Sequence, residues 1–164
     1  MNYHIRAIKA TESDLVKEFT YEAIFQKDET NPIPRKVLNQ PDVSIYYEDF
    51  GKTSDLCLFA VVNGMIAGAV WTRILSGKVK GFGNIDDETP EFAISLFKEF
   101  RRKGIGTALM KAMLKLLRKH GYKRTSLAVQ KDNYAVTMYK KAGFEIVKES
   151  REEYIMICKL NQEK

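Results

Sequence analysis

The sequence predicts a mixed α/β fold, and three observations carry that expectation. Short apolar or alternating runs at residues 3–9, 56–62, 65–74, 92–97, 122–129, 145–149 and 154–160 have the length and composition of strands. Ile105, Leu109, Ala112, Met113, Leu116 and Leu117 recur at helical spacing, in a segment whose other face carries lysine and arginine. Between the 92–97 run and that stripe lies Phe100-Arg101-Arg102-Lys103-Gly104-Ile105-Gly106-Thr107, a basic turn with two glycines.

The elements follow in order. Residues 3–9 alternate as a first strand. Thr11, Glu12, Ser13 and Asp14 are capping residues ahead of a helix whose Leu15, Phe19, Ala23 and Ile24 share a face. Residues 31–41 hold Pro32, Pro34 and Pro41, which break regular structure and leave room for a short helix after Pro34. Asn63-Gly64 turns the 56–62 strand into its 65–74 neighbour as a hairpin. Residues 76–83 are rich in glycine and lysine and read as a loop. An acidic cluster follows, Asp86, Asp87, Glu88 and Glu91 around Pro90. Gly121 closes the long helix, Asp132 or Asn133 caps a last helix reaching Lys141, and Ala142-Gly143-Phe144 turns into the final strands.

At 164 residues the chain is expected to form a single domain, 1–164, and its 45% hydrophobic content suffices for an ordinary core. The formal charge of +6 favours anionic ligands. Aromatic residues do not interleave with the basic ones as in a single-strand nucleic-acid platform, so nucleic acid is the weaker expectation. Cys57 and Cys158 each sit in an apolar strand-like run, and no Cys/His cluster has metal-ligand spacing, so no metal is expected. No run is long enough to cross a bilayer, and a reducing cytoplasm fits the cysteine usage.

Strand, basic glycine turn and helix together are one way to hold a phosphate, the alternative being a tight strand-to-helix turn with a solvated basic surface. Glycines let backbone N–H groups approach an anion, and a helix start adds unpaired donors and the positive end of the dipole. The P-loop and dinucleotide fingerprints are both absent.

Three pieces then occur in a known order. Arg101-x-x-Gly104-x-Gly106 is similar to the Q/R-x-x-G-x-G/A pyrophosphate loop of the GNAT superfamily of acetyl-CoA-dependent N-acetyltransferases. Asn133 to Tyr139 (NYAVTMY) resembles that superfamily's Asn-to-Tyr helix, and Tyr139 to Phe144 its Y-x-x-x-G-F ending. The match covers roughly residues 90 to 145. It implies the GNAT fold, a twisted, mostly antiparallel sheet of six or seven strands with about four helices, in which strands four and five splay apart. Pantetheine then pairs with strand-four backbone, with Leu96 and Phe97 nearest the thioester. The backbone from Arg102 to Thr107 wraps the pyrophosphate, Ile105 included, and Arg101, Arg102 and Lys103 either add charge or point into solvent. Asn133 either hydrogen-bonds CoA or caps its helix.

The chemistry implied by the resemblance is direct attack of an uncharged primary amine on the thioester, with acetyl-CoA as cosubstrate. The Leu96 N–H is placed to polarise the carbonyl. Tyr139 either donates a proton to the departing thiolate or only packs against the cofactor. A carboxylate serves as base: Glu91 is favoured, sharing a strand face with Ala93 and Ser95, and Asp86, Asp87, Glu88 and Glu22 are alternatives. Glu22, Phe25 and Trp71 are the acceptor-pocket candidates, with Tyr21, Arg73 and the 31–41 loop beside them. Two other readings remain open. One is a non-catalytic acyl-CoA sensor, against which Tyr139 argues; the other is a module binding nucleic acid through helix 104–120, which lacks any recognition motif. Exposed C-terminal strands make a homodimer plausible.

Overall fold

The structure, a computed structural model, describes residues 2–161. Seven strands form one sheet: β1 (Tyr3–Ala7), β2 (Leu56–Val62), β3 (Met65–Arg73), β4 (Glu91–Leu96), β5 (Arg124–Gln130), β6 (Phe144–Glu149) and β7 (Glu153–Lys159). They lie in the order β1-β2-β3-β4-β5-β7-β6. Every pairing is antiparallel except β4–β5. Four α-helices accompany the sheet: α1 (Leu15–Ala23), α2 (Pro41–Ser44), α3 (Ile105–Lys119) and α4 (Ala135–Ala142). The expected short helix after Pro34 is present twice over, as a 3-10 turn at Arg35–Asn39 and as α2, which starts on Pro41.

Period-two alternation decides which helix each strand faces. Cys57 and Phe59 of β2 and Ala69 and Trp71 of β3 bury against Val16 and Phe19 of α1. Ala60, Val62, Ala67 and Val70 turn the other way, to a larger cluster with α3 and α4. On α3 the buried positions are Ile105, Leu109, Met110, Met113, Leu114 and Leu117. The stripe is therefore rotated toward Met110 and Leu114 relative to the sequence expectation, and Ala112 and Leu116 sit on its half-buried flank. Gly121 closes α3 with φ of 85°, a left-handed conformation that glycine adopts without steric cost.

Beyond the β2–β3 turn, the segment between α2 and β2 is anchored from β3. Arg73 donates from Nε to Asp55 Oδ1 at 3.1 Å and from Nη1 to the carbonyl oxygens of Ile45 and Glu48 at 2.9 and 2.7 Å. Both members of the ion pair are almost fully buried. This accounts for Arg73: it ties the segment down instead of lining a pocket.

Strands β4 and β5 meet only at Glu91 and Ser126, where the Ser126 N–H donates to the Pro90 oxygen at 3.2 Å. From there they part, as the splay expected of strands four and five. The Phe97 N–H donates to Ala67 O, so along β4 the odd-numbered backbone groups bond to β3. The even-numbered groups, those of Ile94 and Leu96, face the gap.

Candidate active site

A cavity of about 470 Å³ fills the gap. Its walls come from the end of β4, the turn into α3, the start of α4 and the C-terminal half of α1 with the loop after it. Of the residues singled out from sequence, it brings together Glu22, Phe25, Leu96, Arg101, Arg102, Gly104, Gly106, Thr107, Asn133 and Tyr139. Tyr21 lines it as well and donates its hydroxyl to the Ile33 oxygen. Five of the favoured residues lie outside the lining, as do Arg73, Asp86, Asp87 and Glu88. Ile105 is wholly buried beneath α3 and Lys103 is exposed. Phe97 turns to the α1 side, where its ring stands 4.9 Å from that of Phe19. Trp71 is 1% exposed in the same cluster, with Nε1 donating to Tyr46 O at 3.2 Å. Glu91 lies beyond the point where the strands part.

The turn into α3 has the backbone of an anion cradle. Arg102 at φ 62° and Gly104 at φ 83° are both left-handed, and Gly104 is the N-cap of α3. Left-handed residues alternating with ordinary ones turn successive N–H groups to one side, and the first N–H groups of the helix have no intrahelical acceptor. The arginine side chains are committed elsewhere. Arg101 donates to Leu96 O at 2.9 Å and pairs with Glu22 at 3.3 Å, tying β4 to α1 across the rim. The Arg102 guanidinium stands 5.7 Å from the centre of the Tyr134 ring. Gly106 faces the cavity, and a Cβ there would come within 3.3 Å of Leu96 and 3.7 Å of the Met138 sulfur. The floor is thus apolar, between a strand with free backbone groups and a helix start with free donors.

On the opposite wall, Asn133 Oδ1 accepts the Ala135 N–H at 2.9 Å and so caps α4. Tyr139, one turn further on, is 9% exposed, and its ring packs edge-on against Phe144. Among the described residues its hydroxyl has no hydrogen-bond partner, and burial pushes its pKa above the ordinary tyrosine value.

Glu91 is 4% exposed and sits at the closed end of the gap. Its Oε2 accepts a hydrogen bond from the Tyr46 hydroxyl, and its Oε1 has no partner. Burial raises its pKa to about 7, against the lowering effect of the Tyr46 bond. The acidic alternatives have other engagements. Asp86 accepts backbone N–H groups of Glu88 and Thr89 and pairs with Arg124. Glu22 is held by Arg101, and Asp87 and Glu88 are exposed.

The Acetyltransferase (GNAT) family matches residues 21–144, which span most of these walls. The chain belongs to that family. Proteins similar to it occur in archaea. The N-alpha-acetyltransferase of Sulfurisphaera tokodaii is 32% identical over 58% of this chain and 59% of its own length. That of Saccharolobus solfataricus is 28% identical over 86% of this chain and 89% of its own. The chain therefore spans less than two thirds of the first relative and most of the second. Among solved structures, PaiA N-acetyltransferase from Thermoplasma acidophilum, in complex with coenzyme A, superposes with a TM-score of 0.65, covering 97% of this chain and 99% of that one at 18% identity. That likeness is one of fold.

Sequence reasoning missed several wall residues of this GNAT acetyltransferase. Tyr134 and Met138 sit within the recognised α4 segment, and the i, i+4 spacing of Tyr134 and Met138 was the available signal for a shared face. Tyr46 carried no signal, because its partner Glu91 is 45 residues away.

Proposed function

We propose that this acetyltransferase transfers the acetyl group of acetyl-CoA to a primary amine, and that the acceptor is the α-amino group of a peptide. The observation that supports it best is the convergence in one cavity of an N–H-rich turn, a strand edge with unpaired backbone groups and an unpartnered tyrosine hydroxyl. Those features suit the parts of acetyl-CoA in sequence. The turn from Arg102 to Thr107 holds the pyrophosphate with backbone N–H groups. Ile94 offers its N–H and carbonyl, and Leu96 its N–H, to the pantetheine amides as a neighbouring strand would, the Leu96 carbonyl being taken by Arg101. Acetyl-CoA supplies the activated acyl group; the residues bind, orient and manage protons.

A β4 N–H facing the gap, Leu96 in the first instance, polarises the thioester carbonyl and stabilises the charge that builds on its oxygen. Tyr139 gives its proton to the leaving sulfur. Its hydroxyl is protonated at neutral pH, and the negative charge that builds on the sulfur beside it draws the proton across, against the weaker acidity that burial gives the phenol. Glu91 takes the proton of the incoming amine through water. It stands three residues from Ile94, about 10 Å along the strand, too far for direct transfer. A carboxylate with a pKa near 7 suits that role at neutral pH. Asn133 fixes the start of α4 and so the position of Tyr139. Glu22, Phe25 and Tyr21 form the acceptor wall. The peptide assignment is supported by the archaeal relatives, which are named N-alpha-acetyltransferases.

Calorimetric titration with acetyl-CoA and CoA, beside a free-thiol release screen over peptides, polyamines, aminoglycosides and amino acids, tests this reading. Tight binding with thiol release on peptides is expected. Release only on polyamines would overturn the acceptor, and absence of binding would overturn the cofactor site.

A further inference from the structure

The closed end of the gap holds a second polar group besides Glu91. Ser126 stands opposite Glu91 in the single register pair of β4 and β5. Its neighbours Leu127 and Val129 enclose the α3 cluster alternately with it, so its side chain shares the α1 face with Glu91. Ser126 is fully buried, and its Oγ, like Glu91 Oε1, has no partner. Buried polar atoms left without partners are costly in a native structure and call for a role.

A strap seals the spot. Gly81 and Gly83 are buried while Phe82 between them is 49% exposed. A Cβ on Gly81 would fall 2.1 Å from Glu91 Oε1, and one on Gly83 would fall 2.6 Å from the Leu127 backbone carbon. The strap thus lies between the carboxylate and β5, and glycine is required at both contacts. One hydroxyl joins the parts: Tyr46 donates to Glu91 Oε2 and accepts the Phe82 N–H at 2.9 Å. Its ring stacks on that of Phe82, with centroids 6.3 Å apart at 15°.

We propose that Tyr46 is a positioning residue, which aims the Glu91 carboxylate for proton transfer and latches the Gly81–Gly83 strap over it, with Ser126 completing the proton site. The proposal rests on the reading of Glu91 as base. Neither Glu91 nor the strap lines the cavity, and the strap covers the β5 side of the carboxylate, so on this proposal the acceptor engages Glu91 as the strap lifts. In the step itself an amine N–H bond breaks, the proton passes along a chain of waters admitted as the strap lifts, and an O–H bond forms on Glu91. The proton returns to solvent when the strap reopens. Tyr46 keeps its own proton throughout, since burial and the neighbouring carboxylate push its pKa well above the ordinary value. The charged groups facing Glu91 are few. Arg73, opposite it on β3, is spent on Asp55 and on the 45–49 carbonyls. Glu153 of β7 acts on it at a distance and raises its pKa.

The test follows the Glu91 carboxyl carbon by NMR against pH, with kcat/KM profiles on a peptide bearing a free α-amino terminus, in wild type, Tyr46→Phe and Glu91→Gln. In Tyr46→Phe the Glu91 midpoint and the acid limb of kcat/KM should both rise by about one pH unit, because a hydrogen bond to the charged form is lost. The KM for acetyl-CoA should stay unchanged. Glu91→Gln should remove the limb. A limb and midpoint unmoved by Tyr46→Phe overturn the positioning role and leave Glu91 as base. A limb that survives Glu91→Gln overturns the base, and the role of Tyr46 with it. Should Tyr46→Phe fail to fold, hydrogen exchange in the wild type decides the latch: the Phe82 amide is expected to be protected, and exchange at the rate of an open loop would overturn it.

Discussion

The ring of Tyr139 meets that of Phe144 edge-on, with centroids 5.7 Å apart and planes at 62°. Phe144 rests in turn on Phe92 of β4, at 5.4 Å and 65°. Three rings therefore fix the tyrosine of α4 relative to the strand across the gap. Replacing Phe144 by leucine removes edge contacts worth about 1 kcal/mol beyond area and frees the Tyr139 ring to turn. We expect a modest loss of stability, a several-fold fall in turnover and an unchanged acetyl-CoA dissociation constant, read by thermal melting, thiol release and calorimetry. Unchanged turnover would show that the hydroxyl is aimed by something other than Phe144.

Tyr139→Phe removes the hydroxyl proposed to donate the proton and keeps the ring. Acetyl-CoA affinity should hold while turnover falls at least about tenfold, the low end for losing a positioned acid. Single-turnover measurement of thiol release checks this, and wild-type rates would reduce Tyr139 to packing.

Gly104 separates the conformational part of anion binding from the electrostatic part. Its φ of 83° penalises any side chain, yet a Cβ there meets nothing within 4 Å. Gly104→Ala should cost about 1 kcal/mol in stability through the left-handed backbone and weaken acetyl-CoA moderately. Gly104→Glu puts negative charge at the phosphate cradle and should abolish binding. Calorimetry on both variants checks it; equal affinities would mean the turn does not touch the pyrophosphate.

Asp55 and Arg73 form a buried pair, so removing one partner strands the other. Asp55→Ala should destabilise the fold by about 3–5 kcal/mol and loosen the 45–49 segment that presents Tyr46. Urea unfolding measures the first effect and hydrogen exchange the second. A variant as stable as wild type would show that the backbone carbonyls of Ile45 and Glu48 alone satisfy Arg73.

Glu91 also shapes the pH dependence of stability. Its folded pKa is raised from 4.5 to about 7. Between those values the folded state keeps a proton that the unfolded state has lost, so stability falls as pH rises through that window, by about 3 kcal/mol in total. Glu91→Gln should flatten the decline and leave the variant more stable than wild type at pH 8. Guanidinium unfolding from pH 4 to 8 tests this, and parallel curves would mean that Glu91 ionises as readily in the fold as outside it. Glu12 runs the opposite way. The Arg6 hydrogen bond holds its pKa down at about 2, so its contribution is present above the unfolded value and lost as pH falls through that lower range.

Much of this protein was legible in its sequence because local patterns carry local structure. Strand alternation, the Asn63-Gly64 turn and the α3 stripe placed nearly every element. The turn from Arg101 to Gly106 and the segment from Asn133 to Phe144 marked one side of the cavity, because phosphate cradles and helix caps are built from adjacent residues. The acceptor side behaved differently. Trp71 looked like a pocket residue and is core, since an aromatic on a central strand buries whichever way it points. Glu91 was singled out from its place on strand four, on one face with Ala93 and Ser95, and from the resemblance to the superfamily. Nothing local told that it would be drawn under a strap, away from Asp86, Asp87 and Glu88.

By itself, then, the sequence determined the order of elements, the glycine turn into α3 and the tyrosine of the α4 motif, because each depends on neighbours within a few positions. Only the tertiary structure decided which polar groups share the closed end of the gap. Tyr46, Phe82, Glu91 and Ser126 come from four separate stretches of chain. They meet because two strands part at one residue pair and two glycines let a loop lie between them, an outcome of packing across the sheet that no periodicity along the chain encodes.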